Sequence, residues 1–159
     1  MNGSTSCRTA LAAARTNTIE DTLKSETNGW PGRLKIAGTF VTPATMPELH
    51  ERISHLVESG GPAFVLSGNV HDINTARANP WLLALYNRAA IVRVDGAGVV
   101  WAAGLLGHKI PLRIAWADWG LPLARHIAER GHSLFLLGGP EGCARATADI
   151  FSPPIPPFG

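Results

Sequence analysis

From Leu34 onward, short apolar and β-branched runs alternate with longer stretches whose apolar residues recur every three or four positions. The first run, Leu34 to Thr42, is close to strict alternation and predicts a strand. Thr45-Met46-Pro47-Glu48 then opens a helix: Thr45 can cap, Pro47 sits in the first turn where no amide is missed, and Glu48 completes a capping box. Leu49, Ile53, Leu56 and Val57 follow at helical spacing, and Gly60-Gly61 ends the helix. Ala63 to Leu66 predicts a second strand, which runs out at the polar Ser67-Gly68-Asn69. A short helix over Val70 to Arg77 follows, and Asn79-Pro80 opens another with Trp81, Leu82, Leu85 and Tyr86 on its apolar face. Ile91 to Val94 reads as a buried strand that ends on Asp95-Gly96, where a small-residue helix pattern begins at once. Asp118 is placed to cap a helix through Arg130, with Leu121, Leu123, Ile127 and Ala128 toward the core. Ser133 to Leu137 is continuously apolar, as a central parallel strand is. Gly138 to Gly142 then turns into a last helix, Cys143 to Phe151.

Strands of four to six residues alternating with helices are the signature of βαβ units: an α/β fold with a mainly parallel sheet and helices on its faces. The pattern covers residues 34–151. Residues 1–33, rich in Ser, Thr and Asn, predict a disordered leader, and residues 152–159 a proline-rich irregular tail.

Composition narrows the class. At 159 residues one domain is expected, and 45% hydrophobic against 16% charged residues suits a globular core. A net charge of +2 gives no electrostatic footprint for nucleic acid. No apolar run approaches a spanning helix. The 2 cysteines, Cys7 and Cys143, make neither a disulfide framework nor a metal-ligand spacing, so a reducing cytoplasm is the expected compartment.

The chemistry concentrates at strand ends, where open α/β sheets bind ligands. Asp95 has two readings. It is either the N-cap of the next helix or a general base, with Gly96 and Gly98 letting a substrate approach the backbone. Ser67 and Asn69 are either a polar turn or a hydrogen-bonding edge for sugar or nucleotide hydroxyls. Gly138-Gly139 is either a tight turn or a phosphate cradle. The full GxGxxG and a Walker lysine are both missing, which sets a nucleotide-dependent oxidoreductase last. The histidines are scattered and support no metal site.

Three segments together carry a family likeness: GNVHDINTARANPWLLALYNRAAIVRVDGAGVVWAAGLLG, IPLRIAWADW and GHSLFLLGGPEG. In their order and spacing they resemble the WecG/TagA/CpsF family of bacterial glycosyltransferases over about Leu34 to Phe151. The resemblance implies a Rossmann-like three-layer αβα fold. It implies inverting transfer of a sugar from a UDP-sugar, such as UDP-N-acetylmannosamine or another UDP-hexose, to an undecaprenyl-diphosphate-linked saccharide acceptor. That reaction belongs to cell-surface polysaccharide synthesis on the cytoplasmic side, with peripheral contact to the inner face of the membrane and a homo-oligomer among the expectations. No cofactor and no metal are implied. Asp95, in the DGxG turn, matches the family's proposed base. Ser67 and Asn69 match its Thr-x-Asn strand end with the hydroxyl kept. Gly96, Gly98, Asp118, Gly138 and Gly139 fall on the substrate side. Two departures stand out. Ala115-Trp116-Ala117-Asp118 lacks the family's glycine before the aspartate. Family members also run on past the last helix with further strands, whereas SPPIPPFG follows here. The resemblance therefore implies a C-terminally truncated member with an incomplete sheet and weak or no transfer on its own. The alternative is a non-catalytic nucleotide-sugar-binding or partner-binding remnant.

Overall fold

The computed structural model describes residues 32–151. The expected tail, and all of the expected leader except residues 32 and 33, lie outside them. The run expected as one strand is a hairpin: β1 (Leu34–Ile36) pairs antiparallel with β2 (Thr39–Val41). Ala37 and Gly38 turn the chain at φ 49° and 87°. A two-residue turn keeps the period-2 alternation, so the pattern alone reads straight through it.

Thr45 and Glu48 start α1 (Met46–Glu58), the Glu48 carboxylate accepting from both the amide (2.7 Å) and the hydroxyl (2.8 Å) of Thr45. These bonds hold the Glu48 pKa below its ordinary value. β3 (Val65–Gly68) begins two residues later than expected and takes in Ser67 and Gly68. There follow α2 (Val70–Ala78), α3 (Pro80–Arg88), β4 (Ile91–Val94), α4 (Ala97–Leu105), α5 (Trp116–Glu129) and α6 (Cys143–Phe151).

β4 is the centre. It pairs parallel with β3, Val65 opposite Ile91 through Gly68 opposite Val94. A parallel bridge joins Arg93 to Thr42, and Ile114 N donates to Val94 O (2.7 Å). Successive β4 side chains alternate between two cores. Val92 and Val94 pack with Ile73 and Ala76 of α2, Tyr86 of α3, Val99 and Ala103 of α4, and the hairpin. Ile91 packs with Leu49 and Ile53 of α1 and with Trp119, Leu123 and Ile127 of α5. The strands thus form two small sheets, the antiparallel β1–β2 hairpin and the parallel β3–β4 pair, and helices cover both faces of the parallel pair, a Rossmann-like αβα layering in place of the larger, mainly parallel sheet expected. Ile91 and Val92 are fully buried, and each such side chain contributes about 1.5–3 kcal/mol.

Several expectations fail for definable reasons. Ser133 to Leu137 forms no strand: Phe135 is 86% and Leu137 91% exposed. Among the described residues no strand lies beside it, and an apolar run without a pairing partner cannot satisfy a ladder. Trp81 turns to solvent at 70% exposure, leaving Leu82, Leu85 and Tyr86 as the inner face of α3. Val57 and Ala128 are exposed at the margins of their helices. Asp118 does not cap α5; Ala115 does, and Asp118 lies in the first turn, where its charge still favours the helix dipole. The histidines are less scattered than the sequence implies, because α1 and α5 bring the rings of His50 and His126 to 5.0 Å. His126 also shares a hydrogen bond with Ser54 (2.8 Å).

Candidate active site

The carboxyl ends of β3 and β4 present one polar cluster. Arg93 and Asp95 are two residues apart, and Ser67 stands opposite Arg93 in the parallel register, so all three share a sheet face. Ser67 Oγ donates to Asp95 Oδ2 at 2.7 Å. Arg93 Nη2 lies 3.4 Å from the same oxygen. The other terminal nitrogen of Arg93 donates to Ile114 O, and its guanidinium lies 4.9 Å from the centroid of the Trp119 ring. Arg93 is 6% exposed. Burial pulls its pKa down, and Asp95 opposes that pull. A buried guanidinium needs such a set of partners. From below, the Tyr86 hydroxyl donates to Ser67 O (2.8 Å), and its burial raises the Tyr86 pKa.

The cap reading of Asp95 fails here. Gly96 is the N-cap of α4, and the Asp95 carboxylate instead meets Ser67 and Arg93. The Asp95 amide donates to Gly68 O (3.0 Å), so the ladder continues one residue past β4 and fixes the backbone under the carboxylate.

Asn69 does what a capping asparagine does. Its Oδ1 accepts from the Asp72 amide (2.9 Å), and its Nδ2 donates to Asp72 Oδ2 (2.7 Å), so the side chain is engaged at the start of α2. Gly96 and Gly98 let this turn approach α4. A Cβ on Gly96 would lie 3.0 Å from Asn69 Cβ, and one on Gly98 2.5 Å from Val70 Cγ2. The two glycines therefore allow a close backbone-to-loop contact at this turn.

Asp118 reaches the cluster through Arg113. Arg113 Nη1 donates to Asp95 O (3.3 Å), and Nη2 lies 3.8 Å from Asp118 Oδ2, with both side chains substantially exposed. Gly138 and Gly139 are in left-handed conformations (φ 112° and 79°) and line a groove of about 240 Å³ with Trp116, Cys143 and Thr147. Among the described residues no hydrogen bond or ion pair joins this glycine pair to Asp95. The structure thus brings together Ser67 and Asp95 directly and Asp118 through an arginine; Asn69, Gly96 and Gly98 form the adjoining turn, and the glycine pair stands apart.

Arg93, Arg113 and Tyr86 were not among the residues singled out from the sequence. Arg93 carried a usable signal: a cation inside an apolar strand, at i−2 from Asp95, must share that residue's face. Arg113 and Tyr86 carried none, since their contacts depend on tertiary packing.

Parallel strands under helices on both faces define a Rossmann-like α/β protein, and the hydroxyl and carboxylate that meet at adjacent strand ends form a candidate site at the carboxyl edge of the sheet. Residues 34–156 match the Glycosyl transferase WecG/TagA/CpsF family. The chain belongs to that family, a family of glycosyltransferases. A search of curated proteins finds no match to this chain. Among the described residues no helix is long and apolar enough to cross a membrane.

Proposed function

We propose that this protein transfers a sugar, with inversion, from a UDP-sugar to an undecaprenyl-diphosphate-linked saccharide in cell-surface polysaccharide synthesis, with Asp95 as general base. The donor is UDP-N-acetylmannosamine or another UDP-hexose, and the reaction takes place at the inner face of the membrane. The observation that carries this reading is the held carboxylate. Ser67 and Arg93 both meet Oδ2, which leaves Oδ1 to accept the proton of an acceptor hydroxyl. The hydroxyl oxygen attacks the anomeric carbon as the bond to the UDP oxygen breaks, and UDP leaves with the electron pair. One displacement from the side opposite the leaving group inverts the anomeric centre.

The diphosphate develops charge as it departs and needs cations or amides close by. Arg113, nearly half exposed beside Asp95, is the cation able to meet it. Gly138 and Gly139, just ahead of α6, supply backbone for the nucleotide, while Asn69, Gly96 and Gly98 shape the wall next to the acceptor and Asp118 orients Arg113. The test is a transfer assay on the purified chain with UDP-[14C]N-acetylmannosamine, other UDP-hexoses and a polyprenyl-diphosphate-linked acceptor, with UDP-sugar binding measured by calorimetry in parallel. Slow movement of radiolabel to the lipid phase with release of UDP is the expected result, since the apolar run before the glycine pair is exposed; binding of no UDP-sugar at all overturns the reading.

One observation favours a second reading, a nucleotide-sugar-binding module without turnover. The apolar run before the glycine pair is exposed and unpaired, so that side of the cleft is not anchored to the sheet. UDP-sugar binding with no transfer by the parent chain would decide for it.

A further inference from the structure

Two polar side chains of α1 are buried at its joint with α5. His50 is 8% and Ser54 2% exposed, and one helical turn separates them, so they share a face. That face meets His126 of α5. The two imidazole rings lie 5.0 Å apart between centroids, tilted by 32°. Ser54 Oγ lies 2.8 Å from His126 Nε2, so serine and histidine satisfy each other. His50 is left over: its Nε2 is buried and has no hydrogen-bond partner among the described residues.

A neutral imidazole can leave an acceptor nitrogen idle, whereas an imidazolium carries two N–H donors and a charge. At His50 the second donor meets no acceptor, and a buried charge without a partner is costly. The surrounding charges do little to offset that cost. On α1, Glu51 favours the proton, but Arg130 of α5 already grips its carboxylate at 2.6 and 2.7 Å and also lies 3.6 Å from Glu58. On α5, His126 opposes the proton. From the sheet side, Val65 of β3, Ile91 of β4 and Ile114 are apolar. Arg93 of β4, 4.9 Å from the Trp119 ring, brings a further positive charge to the joint. His55 on α1 and Arg125 and Glu129 on α5 occupy exposed positions. Burial accordingly holds the His50 pKa below the ordinary imidazole value, and His126 adds to that effect against Glu51.

We infer that His50, set against His126, is an acid-sensitive latch between α1 and α5: the neutral ring packs in the joint, and the protonated ring leaves it and frees α5. The latch bears on the strand end, because α5 carries Trp119 against Arg93, and Arg93 meets Asp95. The sign follows from linkage. The unfolded chain takes up this proton near pH 6.5 and the folded chain only below that. The neutral ring's stability is therefore complete above that value and is lost as pH falls through it. The inference does not rest on the transferase reading, since its test reads opening of the fold and not turnover.

Amide hydrogen exchange of the full chain, corrected for the intrinsic effect of pH, is followed by mass spectrometry at pH 7.5 and 5.5. Peptides of α5 are expected to exchange about tenfold faster at pH 5.5, and those of β4 to change by less than about threefold. His50→Leu, which puts an apolar group in the joint, reduces the response of α5 to less than about twofold, and His55→Gln leaves it as in the parent. The urea midpoint of the parent falls by about 0.5–1 M between the same two pH values, and by less than about half as much in His50→Leu. A ring titration of the parent by NMR needs no substitution, and His50 is expected to titrate below the ordinary imidazole value. Equal exchange of α5 at both pH values overturns the inference, as does an acid response undiminished in His50→Leu. So does a His50 ring that titrates at or above the ordinary imidazole value in the folded parent.

Discussion

Two apolar runs of this chain look alike on paper and end differently. Ile91 to Val94 lies fully buried between two layers of helices and holds Asp95 at its end. Leu134 to Leu137 is as apolar and is also followed by glycine and a helix, yet among the described residues it pairs with no strand, and Phe135 and Leu137 face solvent. The difference is neighbours. β4 has β3 on one side and Thr42 and Ile114 to satisfy its remaining backbone groups. The later run touches a shallow groove of about 180 Å³ lined by residues such as Ile127, Leu134, Leu136 and Phe151. Hydrophobicity makes a strand possible, whereas paired backbone and cover on both faces make it one.

Substitutions measured by urea unfolding sharpen this contrast. Ile91→Ala removes a fully buried side chain at the joint between α1 and α5, and is expected to cost about 3–5 kcal/mol. Arg93→Met keeps most of the volume but leaves Asp95 and the Ile114 carbonyl without their cation, at about 2–4 kcal/mol. A neutral result there would mean that the cluster does not hold the strand end. Gly98→Ala places a methyl group 2.5 Å from Val70 Cγ2 and should cost about 1–3 kcal/mol, with Val70→Ala in the same chain restoring part of the loss. Leu137→Ser, at 91% exposure, should change stability by no more than about 0.5 kcal/mol. A loss of several kcal/mol at Leu137 would mean that the run is packed in solution as β4 is.

Much of this was legible in the residues. Thr45, Pro47 and Glu48 marked the start of α1, and Asn79-Pro80 that of α3, because caps act locally. β4 and its carboxylate were legible because four β-branched or charged residues lead straight into Asp-Gly. The hairpin at Ala37-Gly38 was not, since its two arms keep one alternation. The state of Leu134 to Leu137 was not legible either, because pairing is a property of the neighbours and not of the run. At the site, Ser67 and Asp95 were both singled out, but their hydrogen bond needed the register that sets Ser67 opposite Arg93. Arg93 was visible in the strand and its meaning came only with the sheet face it shares. The glycines of the DGxG turn were expected on the substrate side, and their close contact with Asn69 and Val70 came only with the fold.

We propose that the carboxylate at the end of β4 is a base, held by Ser67 and Arg93, while Gly96 caps the helix that follows. Asp95→Asn keeps the shape of that side chain and removes its ability to take a proton. Transfer from UDP-sugar to the polyprenyl-linked acceptor, measured beside UDP-sugar affinity, is the direct test. Turnover is expected to fall by about 10²–10⁴-fold with affinity within about threefold of the parent. Turnover by Asp95→Asn equal to that of the parent would contradict it.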